Sequence, residues 1–182
     1  MCSTADQMAI SASSSHGVDP ARHFRSIHIA MKIRDVLHKD SILPEIASAD
    51  KKGVLEELSA PVAQLAGISS DELVRVLLER ERLGSTGIGG GIGIPHGKLK
   101  HIESLVLGFG LSRRGVAFDS IDGKPTHIFF LLVTPENSTG LHLKVLARIS
   151  RILKNEPFKA KLMAADGVDE IYAIIAEEDE EF

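Results

Sequence analysis

A run of glycines in the middle of the chain limits the possible folds more than any other feature. Seven of the fourteen residues from Gly84 to Gly97 are glycine. Each glycine loses extra backbone entropy on ordering, about 0.5–1 kcal/mol relative to alanine inside regular structure. The segment therefore predicts close approach of backbones or positive φ angles, and phosphate-binding loops use that geometry.

Two familiar nucleotide-binding patterns do not fit this segment. Wherever the pattern GxGxxG is started, it requires glycine at a position where Ile92, Ile94 or His96 stands. The phosphate-loop pattern requires glycine at position 92 and serine or threonine at position 99, where the chain has Ile92 and Leu99. Both kinds of nucleotide site are therefore excluded.

A histidine follows the glycine segment at the end of a predicted strand. Ile92-Gly-Ile94 alternates as a short buried strand does, and Pro95-His96-Gly97 comes directly after it. Pro95 fixes φ and Gly97 allows the chain to turn away, so we expect an accessible imidazole. A neutral ring nitrogen can take a phosphoryl group while the other nitrogen is held as a donor. His96 is thus a candidate nucleophile, with a turn histidine bonded to nearby backbone as the alternative.

Two more residues could support an anion beside His96. His142 opens the apolar stripe of a predicted helix, where the helix dipole disfavours imidazolium and favours an anion; a packed core histidine is the alternative. Arg80 lies one turn before the glycines, at the edge of a buried helix face, and could bind phosphate through two N–H groups. Its alternative is a solvated surface arginine.

Apolar residues at helical spacing mark three long stretches. The first should end at Gly67 in a left-handed cap, and Pro61 should kink or split it. In the second, the Ser69 side chain is expected to cap the helix while Glu72 reaches back. The predicted helices span 50–67, 69–84 and about 139–155, with short helices after Pro157 and Val168.

Apolar runs between the second and third helices predict a sheet. Helices, strands and then helices again imply one α/β domain in which a mixed β-sheet has helices on both sides. We expect a disordered serine-rich extension at residues 1–30, the domain at 31–176 and an acidic tail at 177–182. The predicted strands span 105–111, 116–118 and 127–133, with turns at 113–115 and 122–125.

Charge and composition exclude several classes of protein. The 182 residues carry a net charge of −4, and Glu177-Glu-Asp-Glu-Glu181 contributes −5 of it, so the remainder is about +1. We expect that tail to be a solvated, frayed end. Without a basic stripe, nucleic acid is not an expected ligand. The single Cys2, the lack of a secretory leader and apolar runs no longer than Ile128–Val133 predict a cytoplasmic protein without a membrane span.

Several stretches resemble the EIIA component of the bacterial phosphotransferase system, of the mannitol/fructose type. The resemblance covers roughly 31–177 and is greatest to the nitrogen-related EIIA, a regulatory member. One departure is Gly93, where the family commonly carries alanine. The stretches are Arg80-Glu-Arg-Leu-Gly-Ser-Thr-Gly-Ile-Gly, Ile92-Gly-Ile-Pro-His-Gly-Lys98, Ala117-Phe-Asp-Ser-Ile-Asp-Gly123 and Thr139–Arg151 with its His142-Leu-Lys-Val-Leu.

The resemblance implies a phosphohistidine carrier that needs neither a metal nor another cofactor. His96 would accept phosphate from the histidine of HPr or of its nitrogen-branch paralogue, and His142 and Arg80 would support the site. The expected partners are an HPr-like phosphocarrier and either a regulatory target protein or an EIIB. No EIIB or EIIC segment is fused within these residues, which favours a free-standing regulator over a sugar-transport EIIA.

Two alternatives from other classes stay open at this stage. One is a regulator that binds its target and never takes part in phosphoryl transfer. The other is a metal site built from His96, His142 and His127. It is the weaker alternative, because no carboxylate or cysteine lies at ligand spacing beside these histidines, and zinc requires three or four ligands.

Overall fold

The longest apolar run of the chain forms the central strand of a sheet in the computed structural model, which describes residues 31–181. The extension predicted at 1–30 lies outside the described residues. A 3-10 turn, Ile33–Asp35, opens this part of the chain. The strands are β1 Leu37–Leu43, β2 Gly87–Gly89, β3 Ile92–Gly93, β4 His96–Leu99, β5 Val106–Val116 and β6 Thr126–Pro135; the helices are α1 Lys51–Ala66, α2 Ser70–Arg82, α3 Thr139–Ile152, α4 Glu156–Ala164 and α5 Val168–Glu180.

The sheet is mixed, with the order β1-β5-β6-β3-β2. β5 runs antiparallel to β6, and β1 runs parallel to β5. On the other side of β6, β3 and then β4 both pair with it in parallel, so they form one line interrupted at Ile94 and Pro95. This arrangement fixes the position of His96 against the middle of a buried strand.

Side chains of β6 alternate between two hydrophobic cores, because successive residues of a strand point to opposite faces. Ile128, Phe130 and Leu132 pack with α3, α4 and α5. Phe129, Leu131 and Val133 pack with α1 and α2. Each of these side chains contributes about 1.5–3 kcal/mol when fully buried. Helices therefore cover both faces of the sheet, which confirms the predicted fold class.

Most helix predictions are confirmed, with two local corrections. α1 ends at Gly67, whose φ of 68° is the predicted left-handed cap. The helix is not split at Pro61 but runs through it, since burial of one apolar face against the sheet outweighs a cost of about 3 kcal/mol. The side chain of Ser69 makes no capping hydrogen bond, so the predicted cap there is wrong.

The sheet prediction needs two corrections as well. Residues 113–115 do not form a turn, because β5 continues through them to Val116. Gly115, with a φ of 82°, absorbs a register shift between Leu111 and Val116 as a bulge instead. β1 has no sequence signal, since three consecutive exposed residues interrupt its apolar pattern.

The acidic tail predicted at 177–182 is largely helical. α5 continues to position 180, and Asp179 is fully buried. Its carboxylate accepts a hydrogen bond from Arg148 on α3, and Glu178 accepts one of 2.7 Å from Asn155. These hydrogen bonds compensate for the burial of Glu178 and Asp179, two acidic residues that are usually solvated. The prediction of a frayed end is therefore wrong up to position 180. No helix in the described region has the length and apolar character needed to span a bilayer.

Candidate phosphohistidine site

His96 lies where the line of strands beside β6 is interrupted. It follows β3, as the sequence predicts, but it also begins a further strand, β4, in which it pairs with Leu132. Close packing holds this strand against α2. A Cβ on Gly97 would lie 2.9 Å from Cγ1 of Val76, which explains the glycine beside the histidine.

Hydrogen bonds at both ring nitrogens define the proton position of His96. Nε2 accepts a hydrogen bond of 3.1 Å from Nε of Arg80, and an arginine can only donate. Nε2 therefore carries the lone pair, and Nδ1–H donates to the carbonyl oxygen of Ile94 at 2.7 Å. Burial lowers the pKa of His96, and the Arg80 charge lowers it too, against an opposing contribution from the Ile94 bond. The ring is therefore neutral near pH 7, and its Nε2 lone pair is engaged by Arg80.

Arg80 is placed by the last turn of α2. Besides contacting His96, it donates from Nη1 to the carbonyl oxygen of Gly84 at 3.0 Å. The side chain is partly buried, so Arg80 is not a solvated surface arginine. One guanidinium thus holds both the histidine and the start of the glycine segment.

His142 lies beside His96, in the first turn of α3. The ring centroids are 5.3 Å apart with an interplanar angle of 63°. His142 is only 6% exposed, and burial lowers its pKa to about 4, helped by His96, Lys98 and Arg80. His142 is therefore a packed core histidine and also a neighbour of the candidate nucleophile. Its two interpretations, as a core residue and as a residue that supports an anion, are compatible.

A cavity of about 400 Å³ opens onto these three residues. Lys98 also lines it and donates from Nζ to Oγ1 of Thr139 at 2.8 Å. The rim has two exposed leucines, Leu83 at 84% and Leu143 at 60%. A cavity that combines two cations, a neutral histidine lone pair and an apolar rim can accept a phosphate group presented by another molecule.

The glycine turn itself is far from His96. Gly89, Gly90 and Gly91 have positive φ and connect β2 to β3 at the opposite end of the sheet. Gly91 adjoins His127 on β6, five residues before the partner of His96, which corresponds to about 16 Å along a strand. The amide of Gly90 donates to the carboxylate of Asp122 at 3.0 Å. The expected phosphate cradle is therefore occupied by a carboxylate of the same chain.

Glu81 positions the site and was missed in the sequence. Its buried carboxylate accepts hydrogen bonds from the amide and the hydroxyl of Thr86 and lies 3.1 Å from Nζ of Lys51. The carbonyl of Thr86 accepts the amide of Ile94 at 3.0 Å, and the Ile94 carbonyl orients His96. The sequence does contain a signal for its burial, because Glu81 lies four residues after the buried Leu77 and therefore on the apolar face of α2.

The three histidines of the metal alternative do not all come together, because only His96 and His142 are neighbours. His127 lines a different cavity, beside Gly90 and Lys159, and its Nδ1 lies 2.9 Å from the carbonyl oxygen of Ser112. Within residues 31–181, no three histidine, cysteine or acidic side chains cluster at metal-binding distance. The alternative of a metal site built from His96, His142 and His127 is therefore not supported by their positions.

Comparison with known proteins identifies the family. Residues 35–178 match the family described as phosphoenolpyruvate-dependent sugar phosphotransferase system, EIIA 2. A nitrogen regulatory protein of Bradyrhizobium diazoefficiens is 40% identical over 146 residues, which cover 80% of this chain and 95% of that protein. The fructose-specific EIIABC component of Bacillus subtilis is 36% identical, over 82% of this chain and 24% of the relative.

A solved structure gives the same result for the fold. The nitrogen regulatory protein IIA-Ntr of Neisseria meningitidis superposes with a TM-score of 0.75 at 33% identity, over 79% of this chain and 98% of that chain. The predicted resemblance is thereby confirmed. The chain belongs to the EIIA 2 family of the phosphoenolpyruvate-dependent sugar phosphotransferase system.

Proposed function

We propose that this protein is a phosphohistidine carrier in which Nε2 of His96 accepts a phosphoryl group from an HPr-like protein. The observation that carries the proposal is the pair of hydrogen bonds at the ring. The Ile94 carbonyl holds the Nδ1 proton, and Arg80 meets the Nε2 lone pair. The proton is thus held away from Nε2, which becomes the nucleophile once Arg80 releases its lone pair and turns to the oxygens of the incoming phosphate.

The transfer step requires no proton to move. As the Nε2–P bond forms, the N–P bond of the donor histidine breaks, and the donor ring leaves with the electron pair. The Nδ1 proton stays on His96, where the carbonyl of Ile94 stabilises the positive charge that the ring acquires. Negative charge spreads over the phosphoryl oxygens in the transition state, and Arg80 and His142 lie where they can donate to those oxygens.

The surface around the cavity suits a protein donor. Leu83 and Leu143 are exposed apolar side chains on the rim, and Lys98 adds a second cation beside Arg80. A donor histidine carrying phosphate presents an anion, which these cations attract, and the leucines offer area for packing against the donor.

We further propose that the carrier is a regulator of the nitrogen-related type. The nitrogen regulatory proteins of B. diazoefficiens and N. meningitidis support this choice, since each is matched over nearly its whole length. Unmodified protein would bind a regulatory target through the face around His96. The oxygens of a phosphoryl group carry roughly −1.5 to −2 charge, and this anion at that face would weaken the contact. The alternative is a sugar-transport EIIA that passes its phosphate to an EIIB, which the similarity to the fructose-specific EIIABC component favours.

Phosphorylation in a reconstituted system tests the first proposal. The protein is incubated with phosphoenolpyruvate, enzyme I and either HPr or its nitrogen-branch paralogue, and the modified residue is mapped by mass spectrometry. We expect acid-labile phosphate on His96, its complete loss in His96→Ala and wild-type labelling in His38→Ala. His38 is a suitable control because it is exposed on β1, at the other edge of the sheet. Full labelling of His96→Ala would contradict the assignment.

Partner capture separates the regulator from the transport component. Wild type, His96→Ala and His96→Asp are compared as baits, with His38→Asp as the matched charge control. A regulator should retain one non-sugar target on wild type, His96→Ala and His38→Asp and lose it on His96→Asp. Capture of only an EIIB, or identical partners on all four baits, would favour the transport alternative.

A further inference from the structure

Thr134 on β6 is buried against the second histidine of the site. Its side chain is fully inaccessible, and Oγ1 lies 2.8 Å from Nδ1 of His142. No other hydrogen bond of this hydroxyl occurs among residues 31–181. Thr134 pairs in register with Lys98 on β4, two residues after His96. Its position is therefore fixed by the same strands that fix the candidate nucleophile.

We propose that Thr134 is a positioning residue that keeps the proton of His142 on Nε2, so that this nitrogen donates a hydrogen bond to a phosphoryl group on His96. The inference rests on the proposed phosphoryl transfer, but it concerns a residue and a proton position that the transfer itself does not define.

Two arrangements of the Thr134–His142 bond are possible in principle. If Nδ1–H of His142 donates to Oγ1, the threonine hydroxyl is left as a buried donor without an acceptor, which costs about 1–3 kcal/mol. If the hydroxyl donates to Nδ1, both groups are satisfied by one bond. Satisfaction of the buried hydroxyl therefore selects the second arrangement and places the lone proton of the neutral ring on Nε2.

The chosen arrangement has a consequence for charge. A ring with a bare Nε2 would turn a lone pair toward an incoming anion, whereas Nε2–H offers it a donor. The two rings are 5.3 Å apart, so oxygens of a phosphoryl group on His96 come within reach of the neighbouring ring. Because the pKa of His142 is lowered to about 4, the ring has only one proton near pH 7, and its location decides whether the ring attracts or repels phosphate.

A matched pair of variants on one strand tests this role. Thr134→Val removes the hydroxyl and keeps the shape, while Thr134→Ser restores a hydroxyl. Thr126→Val is the control, because Thr126 is also buried on β6 but its Oγ1 has no partner among the described residues. The first readout is ¹⁵N NMR of the His142 ring, which distinguishes Nε2–H from Nδ1–H. The second is the rate of phosphorylation by the HPr-like donor.

We expect Nε2–H in the wild type, in Thr134→Ser and in Thr126→Val, and a mixture of tautomers in Thr134→Val. Phosphorylation of Thr134→Val should slow by about 10-fold, less than the 10²–10³-fold cost of losing a donor outright. An Nδ1–H ring in the wild type, or wild-type tautomer and rate in Thr134→Val, would overturn the role of Thr134. The NMR measurement needs no phosphoryl donor, so a wild-type protein that shows Nε2–H but is never phosphorylated would instead overturn the proposed function.

Discussion

Acid should destabilise the folded protein through His142, because the fold holds that ring without a second proton. Burial lowers the pKa of His142 from 6.5 to about 4, and the neighbouring His96, Lys98 and Arg80 add to the effect. In the unfolded chain the ring titrates near 6.5. Between these values the unfolded chain binds more protons, so the stability present above pH 6.5 is lost as the pH falls toward 4.

The size of the effect follows from the two pKa values. One pKa unit corresponds to about 1.36 kcal/mol, so the full loss below pH 4 is about 3.4 kcal/mol. Roughly 2 kcal/mol of it should already be lost between pH 7 and pH 5. His142→Gln removes the titrating group but keeps a polar side chain of similar reach. The variant should therefore lose about 2 kcal/mol less than the wild type over this range.

Urea unfolding at pH 7, 6 and 5 measures the difference, followed by circular dichroism since the chain has no tryptophan. The pKa of His96 is also lowered, but His96 is present in both proteins and its contribution largely cancels. The exposed control His38→Gln should follow the wild type. If wild type and His142→Gln lose the same free energy within about 0.5 kcal/mol, the folded protein accommodates the charged ring and the burial argument fails.

Three further substitutions test other contacts of the site and its support. Arg80→Lys keeps the charge but loses the fork that reaches both His96 and Gly84, and we expect rapid-quench assays to show transfer slowed by on the order of 10²-fold. Glu81→Gln should cost about 2 kcal/mol in urea unfolding, because charged hydrogen bonds to the Thr86 region are lost. Asp179→Asn leaves a guanidinium without its buried carboxylate, and unfolding should become easier by about 3 kcal/mol. An unchanged rate for Arg80→Lys, or an unchanged free energy of unfolding for either of the other two variants, would contradict the role given to that contact.

Local patterns were sufficient for the helices, the buried strand β6 and the place of His96. Periodicity and the left-handed cap at Gly67 depend on neighbouring residues only, and the structure agrees with them. The glycine segment was harder to interpret, because its composition shows that unusual backbone is needed but not what fills it. The carboxylate of Asp122, about 30 residues later in the sequence, accepts a hydrogen bond from the backbone amide of Gly90 in this turn.

What the sequence could not reveal depends on contacts between distant residues. Glu81 and Asp179 are acidic residues on helices, and such residues are usually solvated. Their burial follows from partners on other elements, Lys51 and Arg148. The same is true of the contact between Thr134 and His142, which forms only because α3 packs against β6.

The ion pair between Arg148 and Asp179 has a consequence for how the chain folds as it is synthesised. The two residues are separated by 31 positions, so Arg148 is synthesised before Asp179, which supplies its carboxylate partner. Glu180 then pairs with Lys32, 148 positions earlier, which closes one of the longest loops in the molecule. Closing a loop of this length costs conformational entropy, and contacts between residues far apart in the sequence form slowly. Because Arg148 and Lys32 are synthesised before α5, both cations are without these carboxylate partners until that helix has been made.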